Sequence, residues 1–334
     1  MNIQLKPLDT QVIVITGASS GIGLVTARMA AQRGARVVLA ARNAQDLAAA
    51  VEGIRAAGGR AVQQVADVAI PAQVEQIADT AIREFGRIDT WVNNAAVAMY
   101  GRLTEIPLDD LRQQFDAVYW GQVHGSRTAV AHLRAEGGAL INVASAVADR
   151  AIPLQGNYCA AKHAIKAFTE SLRMELEEAG MPISVTLIKP ASVDTPFFEK
   201  ARTFLGVEPQ PVPPVYAPEV VARAILFAAE HPRRDIIAGG MGKVLSLASY
   251  APRLTDRYME RTTFGSQKTD EPTLGRADNL NRPLAYDGGE RGRNWTGHIR
   301  GVSMYTAASL HRARTAVIAG GLGVLALALL RRNG

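Results

Sequence analysis

Residues 12–24 have the sequence VIVITGASSGIGL, and this stretch decides the fold. Its first five residues are all β-branched and predict a buried strand, whereas the apolar spacing from Gly21 onward predicts a helix. Glycines at positions 17, 21 and 23 permit a tight turn between the two elements, so that backbone N–H groups can approach a pyrophosphate at the positive end of the helix. An ordinary strand-to-helix connection is the alternative, because a glycine-rich turn alone is a weak signal. The spacing here is G-x-x-x-G-x-G and differs from the standard G-x-G-x-x-G fingerprint.

Strand and helix patterns continue to alternate as far as about residue 240. The predicted strands after the first are 36–41, 61–66, 88–93, 139–144, 183–188 and 235–238. The predicted helices are 21–33, 44–57, 71–85, 108–136, 155–179 and 218–229. Because parallel strands need crossover connections, this order predicts an α/β fold with a Rossmann-like, doubly wound parallel sheet in one domain, residues 1–245.

The last quarter of the chain has a different character. Residues 246–311 are predicted to be an irregular linker or extension, since residues 262–298 are polar and rich in Gly, Asn and Arg. Residues 312–334 contain the uncharged run Thr315–Leu330 between pairs of arginines, which predicts a hydrophobic C-terminal anchor helix in a membrane. A terminal helix buried in the protein or in a dimer contact is the alternative, so a homo-oligomer is compatible with the sequence.

Charge is distributed unevenly along the chain. Residues 1–249 carry 24 basic and 24 acidic side chains, whereas the rest carries 13 basic and 7 acidic ones, which accounts for the net charge of +6. The basic residues are scattered and lack base-stacking aromatics, so we expect no nucleic-acid partner and favour a membrane surface. The predicted anchor makes the protein membrane-associated. The N-terminus has no signal-peptide pattern, which favours a cytoplasmic location for the α/β catalytic domain.

Metal and thiol chemistry are not indicated. The single cysteine, Cys159, excludes an internal disulfide and a cysteine-rich metal site, and it reads as a packing residue. His124, His132 and His163 lack the spacing of metal ligands, so no metal is predicted.

Short motifs follow the predicted strands in a fixed order. After TGASSGIG at 16–23 they are Asp67-Val68, Asn93-Asn94-Ala95-Ala96, Ser145, Tyr158-x-x-x-Lys162, Pro190 and Thr195. By these motifs, residues 10–240 resemble the classical short-chain dehydrogenase/reductase family. The resemblance implies a nicotinamide-dependent oxidoreductase whose catalytic domain is residues 1–245 and whose other partner is a small carbonyl or alcohol substrate.

Three residues carry the implied chemistry. Hydride transfer to a carbonyl leaves an alkoxide that must collect a proton, and the phenol of Tyr158 can supply it. The reference pKa of tyrosine is near 10, and the ammonium of Lys162, one helical turn away, would lower it. Ser145 can hydrogen-bond the substrate oxygen. Without Ser145 and the glycine turn, Tyr158 and Lys162 would be taken for a surface pair four residues apart.

The cofactor-binding residues are partly read from the turn and partly implied by the resemblance. The glycine turn contributes Gly17, Ser19, Ser20, Gly21, Ile22 and Gly23. By resemblance, Asp67 and Val68 contact the adenine, Asn94 the adenosine ribose, and Val193 and Thr195 the nicotinamide carboxamide. Ala95, Tyr158 and Lys162 are also predicted to bind the cofactor.

Cofactor choice is read from the end of the second strand. NAD enzymes place a carboxylate there for the ribose 2′-hydroxyl, whereas an arginine accommodates a 2′-phosphate. Ala41 removes the repulsion and Arg42 supplies a charge, so the prediction is NADP(H). A solvated Arg42 at the start of a helix is the alternative, and Ser20 stands where many NADP enzymes have a second basic residue.

The sequence departs from the family pattern in a few positions. Val118 stands where the family has a catalytic asparagine, which helps to hold a water that connects the lysine to a proton relay. Ala96 and Ala191 replace two common glycines, which looks tolerable.

Two further functions compete with the leading hypothesis of an NADP(H)-dependent enzyme that interconverts an alcohol and a ketone or aldehyde. Val118 makes a non-catalytic, membrane-tethered nucleotide-binding protein conceivable. An epimerase or dehydratase of the extended type is disfavoured, since that group typically has G-x-x-G-x-x-G. Phe197, Phe198 and Phe204 in a proline-rich loop suggest a lid over a lipophilic substrate.

Overall fold

The computed structural model describes residues 3–273, 275–311 and 315. Its centre is a parallel sheet of seven strands in the order β7-β6-β5-β4-β1-β2-β3. These strands are β1 (Val12–Thr16), β2 (Arg36–Ala41), β3 (Arg60–Val65), β4 (Thr90–Asn93), β5 (Gly138–Val143), β6 (Ile183–Pro190) and β7 (Asp235–Ala238). The predicted doubly wound fold is confirmed, and the strand order reverses between β1 and β4, where such sheets open a cleft at their carboxyl ends.

Helices cover both faces of the sheet. They are α1 (Gly21–Gln32), α2 (Ala44–Ala56), α3 (Pro71–Phe85), α4 (Leu108–Phe115), α5 (Gly121–Leu133), α6 (Gly156–Glu178) and α7 (Pro218–Glu230). A π-helical turn, Asp116–Trp120, joins α4 to α5, within the stretch predicted as helical. Such turns inside α-helices are frequent at functional sites.

Burial on both faces explains the composition of the strands. Every residue of β1 and of β6 is buried, as expected for parallel strands that have helices on both sides. Two large apolar clusters lie on opposite sides of the sheet, and a third includes Val118, Leu187 and Leu280. Leu280 belongs to the C-terminal extension, so the extension contributes to the core.

The extension contains more regular structure than its sequence suggests. Helices α8 (Gly240–Ala248), α9 (Pro252–Ser266) and α10 (Met304–Leu310) follow the sheet. Three short strands, Arg202–Thr203, Val207–Pro209 and Val215–Tyr216, lie in the loop after β6 and pair with Met99–Tyr100, Lys268–Pro272 and Ile299–Arg300 respectively. The long loop after β6 is therefore fastened to the extension.

Within the described ranges, no helix is both long and apolar enough to cross a bilayer. The predicted anchor, Thr315–Leu330, lies outside the described residues apart from Thr315.

Candidate active site

The glycine turn packs closely against the loop after β4. A Cβ atom at Gly23 would lie 2.2 Å from the carbonyl oxygen of Gly17, and one at Gly17 would lie 2.8 Å from Cα of Ala95. Gly17 has φ +66°, which favours glycine. Asn94 Nδ2 donates to the carbonyl of Thr16 at 3.0 Å. Gly23 therefore lets the turn close, which leaves the residues before it facing the cleft.

One cavity of about 770 Å³ runs along the carboxyl ends of the strands. All the predicted site residues except Gly23 line it: Gly17, Ser19, Ser20, Gly21, Ile22, Arg42, Asp67, Val68, Asn94, Ala95, Ser145, Tyr158, Lys162, Val193 and Thr195. The cavity thus extends from Arg42 after β2 to Tyr158 on α6. The cavity lies at the carboxyl ends of the strands and is lined in part by the glycine turn, with Asp67 at one end and Tyr158 at the other. This extended site suits a dinucleotide.

A segment of the extension, residues 276–293, crosses this cavity and is called the strap here. Asp287 accepts a hydrogen bond from Ser19 Oγ at 2.5 Å, and the carbonyl of Gly289 accepts one from the backbone N–H of Gly21 at 2.8 Å. On the other wall, Asn279 N donates to the carbonyl of Lys200 at 3.0 Å. The strap therefore bridges the glycine turn and the loop after β6.

Lys200 is a largely enclosed cation beside the glycine turn, with a side chain that is 12% exposed, and it was not among the predicted site residues. Its Nζ donates to Ser20 Oγ at 2.7 Å and lies 3.5 Å from Asp287 Oδ1. Burial lowers the pKa of this lysine, and Asp287 acts in the opposite direction. No sequence pattern indicates either residue, because the contacts span large separations along the chain.

Arg42 also contacts the strap. Its guanidinium donates to the carbonyl oxygens of Asn279 and, at 3.3 Å, Leu280, and it lies 3.7 Å from Asp67 Oδ2. The Arg42 side chain is only 19% exposed, so it is not a solvated residue at the start of α2. Asn43 caps α2 by accepting from Asp46 N at 3.0 Å.

Ser145, Tyr158 and Lys162 meet at the end of β5. Ser145 follows the strand, and Tyr158 and Lys162 lie in the first turns of α6. Lys162 Nζ lies 5.5 Å from the centre of the Tyr158 ring and donates to the carbonyl of Val143 at 2.8 Å. The structure therefore brings the three predicted catalytic side chains into one corner of the cavity.

The titration behaviour of this corner is dominated by burial. In the protein alone, burial raises the pKa of the Tyr158 phenol, the nearby Cys159 acts in the same direction and Ser145 opposes it through a hydrogen bond. Burial also lowers the pKa of Lys162 to about 7. Lys162 was predicted to lower the pKa of Tyr158. Burial, which raises this pKa, is the larger effect.

The far side of the cavity is apolar. Phe197 and Phe198 line it, and the Phe197 ring centre lies 5.6 Å from that of Tyr158. Met241 and Leu245 of α8 and Leu254 of α9 add further apolar side chains to the lining of the cavity. Phe204, predicted as part of the same lid, packs beside Gly101 instead and does not line the cavity.

A buried glutamine behind the lysine was also missed. Gln122, in α5, donates from Nε2 to the carbonyl of Val143 at 2.8 Å, so this carbonyl has two donors. Its spacing of four residues from Val118, one turn of an ideal helix, was the available signal. Val118 itself is fully buried among apolar residues.

A dinucleotide-length cleft at the switch point of a parallel sheet, ending at a serine, a tyrosine and a lysine, defines the class of nicotinamide-dependent α/β oxidoreductases. The sequence model of the short chain dehydrogenase family matches residues 11–205. The chain therefore belongs to the short-chain dehydrogenase/reductase family, and it is an oxidoreductase that acts on CH–OH groups.

Three similar proteins illustrate the range of the family. The uncharacterized oxidoreductase YxnA of Bacillus subtilis is 46% identical over 328 residues, covering 96% of this chain and 91% of that protein, so the similarity includes the extension. The 1-deoxy-11-beta-hydroxypentalenate dehydrogenase of Streptomyces avermitilis is 39% identical over 193 residues, 57% of this chain and 71% of that protein. A short chain dehydrogenase/reductase of Burkholderia phymatum, solved in complex with NAD, is 28% identical with a TM-score of 0.66, covering 81% of this chain and 100% of that one.

Proposed function

We propose that this protein is an NADP(H)-dependent oxidoreductase that interconverts an alcohol and a ketone or aldehyde. The observation that carries the proposal is the meeting of Ser145, Tyr158 and Lys162 at the apolar end of a cavity whose other end holds Arg42. The cofactor supplies or accepts the hydride, and the residues of this chain bind it, orient the substrate and move the proton.

Proton transfer is assigned to Tyr158. In the direction of reduction, its phenol gives a proton to the substrate oxygen as that oxygen becomes an alkoxide. Ser145 forms a hydrogen bond with Tyr158 that acts to lower the pKa of the phenol. It also hydrogen-bonds the substrate oxygen and holds that oxygen beside the phenol. Lys162 supports the phenolate that remains, because a positive charge nearby favours the ionised form.

NADP(H) is proposed as the cofactor because of Ala41 and Arg42. The strand β2 ends without a carboxylate, and Arg42, the next residue, lines the cavity. An arginine at this position can hydrogen-bond a 2′-phosphate, whereas NAD enzymes need an acidic residue for the 2′-hydroxyl.

A lipophilic substrate is proposed from the wall opposite the turn. Phe197 lies next to Tyr158, and Phe198, Met241 and Leu245 add apolar surface to the same cavity. Such a site gains affinity by removing apolar substrate surface from water.

Association of the chain with a membrane through residues 312–334 is part of the same proposal, with residues 1–245 as a cytoplasmic catalytic domain. It rests on the uncharged run Thr315–Leu330 between arginine pairs. Flotation with lipid vesicles tests it: full-length protein should float, and a Leu325→Arg, Leu329→Arg double variant should remain in the soluble fraction with unchanged activity.

The competing function is a membrane-tethered nucleotide-binding protein without catalysis, which Val118 favours. It predicts NADPH binding without turnover on any alcohol or carbonyl compound. The enzyme hypothesis predicts turnover that depends on Tyr158.

The deciding experiment compares the full-length protein with Tyr158→Phe in NADPH oxidation against a panel of steroids, fatty aldehydes and retinoids. Turnover should fall by about 10²-fold or more in the variant, the usual contribution of a positioned acid or base. NADPH affinity, followed by cofactor fluorescence, should change little. Equal turnover in both proteins would refute the assignment of the proton to Tyr158, and NADPH binding without turnover in the wild type would favour the competing function.

A further inference from the structure

The carbonyl oxygen of Val143 accepts hydrogen bonds from two buried side chains. Lys162 Nζ and Gln122 Nε2 each lie 2.8 Å from it, so the two nitrogens are within two hydrogen-bond lengths of each other. Lys162 is 1% and Gln122 2% exposed. A carbonyl oxygen has two lone pairs, and both are used here.

Gln122 lies near the position that lacks the family's asparagine. Val118 is in the π turn Asp116–Trp120, and Gln122 follows it in the first turn of α5. A π turn contains an extra residue, so the side chains that follow it have a different angular position around the helix axis from that in a continuous α-helix. The valine side chain offers no hydrogen bond, and the nearby glutamine offers both a donor and an acceptor.

The acceptor of Gln122 is unused. Its Oε1 is buried and has no hydrogen-bond partner within the described part of the chain. Buried amide oxygens in proteins nearly always have a donor, and an ordered water is the usual one where no protein group is present. Gln122 and Lys162 bond the same carbonyl oxygen, so their side chains are neighbours in this buried corner.

We propose that Gln122 is a positioning residue for Lys162 and substitutes for the missing asparagine. It fixes the Val143 carbonyl that orients the lysine, and its Oε1 anchors a water that exchanges protons with Lys162. The inference rests on the proposed function.

The proton balance is simple. During reduction, Tyr158 loses a proton to the substrate oxygen and is restored by Lys162. Lys162 is restored by the water at Gln122, which takes a proton from solvent. One proton enters from solvent and one leaves on the alcohol product, with no change in the redox state of any of these groups.

The test uses Gln122→Met, which keeps the length of the side chain and removes both polar atoms. We expect kcat to fall by about 10-fold or more, within the range of general acid–base effects, while the KM for NADPH changes less than about twofold. The pH at which kcat changes should also shift, because the environment of Lys162 is altered. Ser126→Ala is the matched control, since Ser126 is buried in the same helix and bonds Asn93 but not Val143.

Rescue separates positioning from packing. Adding Val118→Asn to Gln122→Met should restore part of kcat and return the pH profile toward that of the wild type. If Gln122→Met lowers only the melting temperature and leaves kcat and the pH profile unchanged, Gln122 is a structural residue and the inference fails.

A second variant covers poor folding of Gln122→Met. Gln122→Glu keeps the shape of the side chain but places a carboxylate beside Lys162, which favours the ammonium form of the lysine. The part of the pH profile of kcat that reports the titration of Lys162, called the limb here, should therefore move to higher pH. An unmoved limb would contradict the inference. Failure of the proposed function itself is distinguishable, because the wild type would then show no turnover, or Tyr158→Phe would retain full turnover.

Discussion

Lys162 donates a hydrogen bond from its buried Nζ to the backbone carbonyl of Val143, the last residue of β5. The same strand leads directly to Ser145. One strand end therefore orients two of the three proposed catalytic residues, and α6 supplies the third, Tyr158. The geometry of the site depends on the main chain of the sheet more than on contacts between the three side chains.

Burial of Lys162 should make its replacement stabilising. The pKa of Lys162 falls from an ordinary value of 10.5 to about 7 on folding, so between these pH values the unfolded chain binds more protons. Stability from this group is therefore full above pH 10.5 and lost as the pH falls toward 7. Lys162→Met should raise the melting temperature of the ligand-free protein, with little turnover remaining.

The pH dependence of that difference is the diagnostic measurement. The gain of Lys162→Met over wild type should grow as the pH is lowered from 10 to 7 and then level off, and should exceed about 1.4 kcal/mol, the equivalent of one pKa unit. If the difference in stability between Lys162→Met and the wild type is the same at every pH, the assigned pKa of Lys162 is contradicted. Lys166→Met, which removes a partner of Asp149, should destabilise instead.

Replacing Arg42 should change the cofactor preference. Arg42→Ala removes a charged donor from the proposed 2′-phosphate site, and such hydrogen bonds contribute about 1.5–3 kcal/mol. We therefore expect kcat/KM to fall by about 10-fold to 100-fold with NADPH and far less with NADH. Steady-state kinetics with both cofactors measures this ratio.

Arg42→Ala also removes hydrogen bonds between Arg42 and the strap, and Asn43→Ser is the control for the loss of such contacts. Asn43 donates to the carbonyl of Leu284 at 2.8 Å and caps α2, and serine keeps the capping ability but loses the reach. It should affect both cofactors equally. An unchanged NADPH to NADH ratio in Arg42→Ala would argue against NADP(H).

Asp287 should slow the entry of the cofactor. Its carboxylate accepts the single hydroxyl proton of Ser19 and lies close to Lys200, so it competes with cofactor phosphates for these groups. Asp287→Asn removes the negative charge, and we expect NADPH to associate faster and to bind about 3–10 times more tightly. Stopped-flow fluorescence gives both constants.

The control for Asp287 is in the same segment. Glu290→Gln breaks the ion pair with Arg28, 2.5 Å long, without touching Ser19 or Lys200. It should leave the dissociation constant nearly unchanged. Weaker NADPH binding in Asp287→Asn would show that the carboxylate supports the bound cofactor.

The strap should also contribute to stability. Leu280 is 0% exposed, and replacing a buried leucine with alanine typically costs 2–5 kcal/mol, about 2–4 °C of melting temperature for each kcal/mol. Leu280→Ala should therefore melt well below the wild type in thermal scans. Leu108→Ala, at a position that is 68% exposed, should melt with the wild type, and equal melting of both variants would mean that Leu280 is not part of the core.

The sequence predicted the central sheet because hydrophobic periodicity and glycine turns are local signals. Strand β1 agrees at both ends, and β4 begins at Thr90 although the prediction began at Ile88. The cavity could also be anticipated, since the motifs follow strands that share one edge of the sheet. Only Phe204, among the residues assigned to the substrate lid, lies away from it.

The strap could not be predicted, for a physical reason. Many of its contacts use backbone carbonyls, such as those of Asn279 and Gly289, which carry no sequence signature. Asp287 and Lys200 are separated along the chain and show no periodicity. The division of the chain at residues 245 and 311 stays a prediction, and α8 to α10 lie where no regular helix was expected.

Leu280 has a consequence for synthesis of the protein. Residues near the N-terminus leave the ribosome first and begin to fold first. The apolar cluster that contains Val97, Leu187 and Leu280 is incomplete until the strap has also emerged. The nascent chain thus exposes part of its interior until Leu280 has emerged, so a stop codon placed at the end of the Rossmann-like sheet would release a protein with an open core.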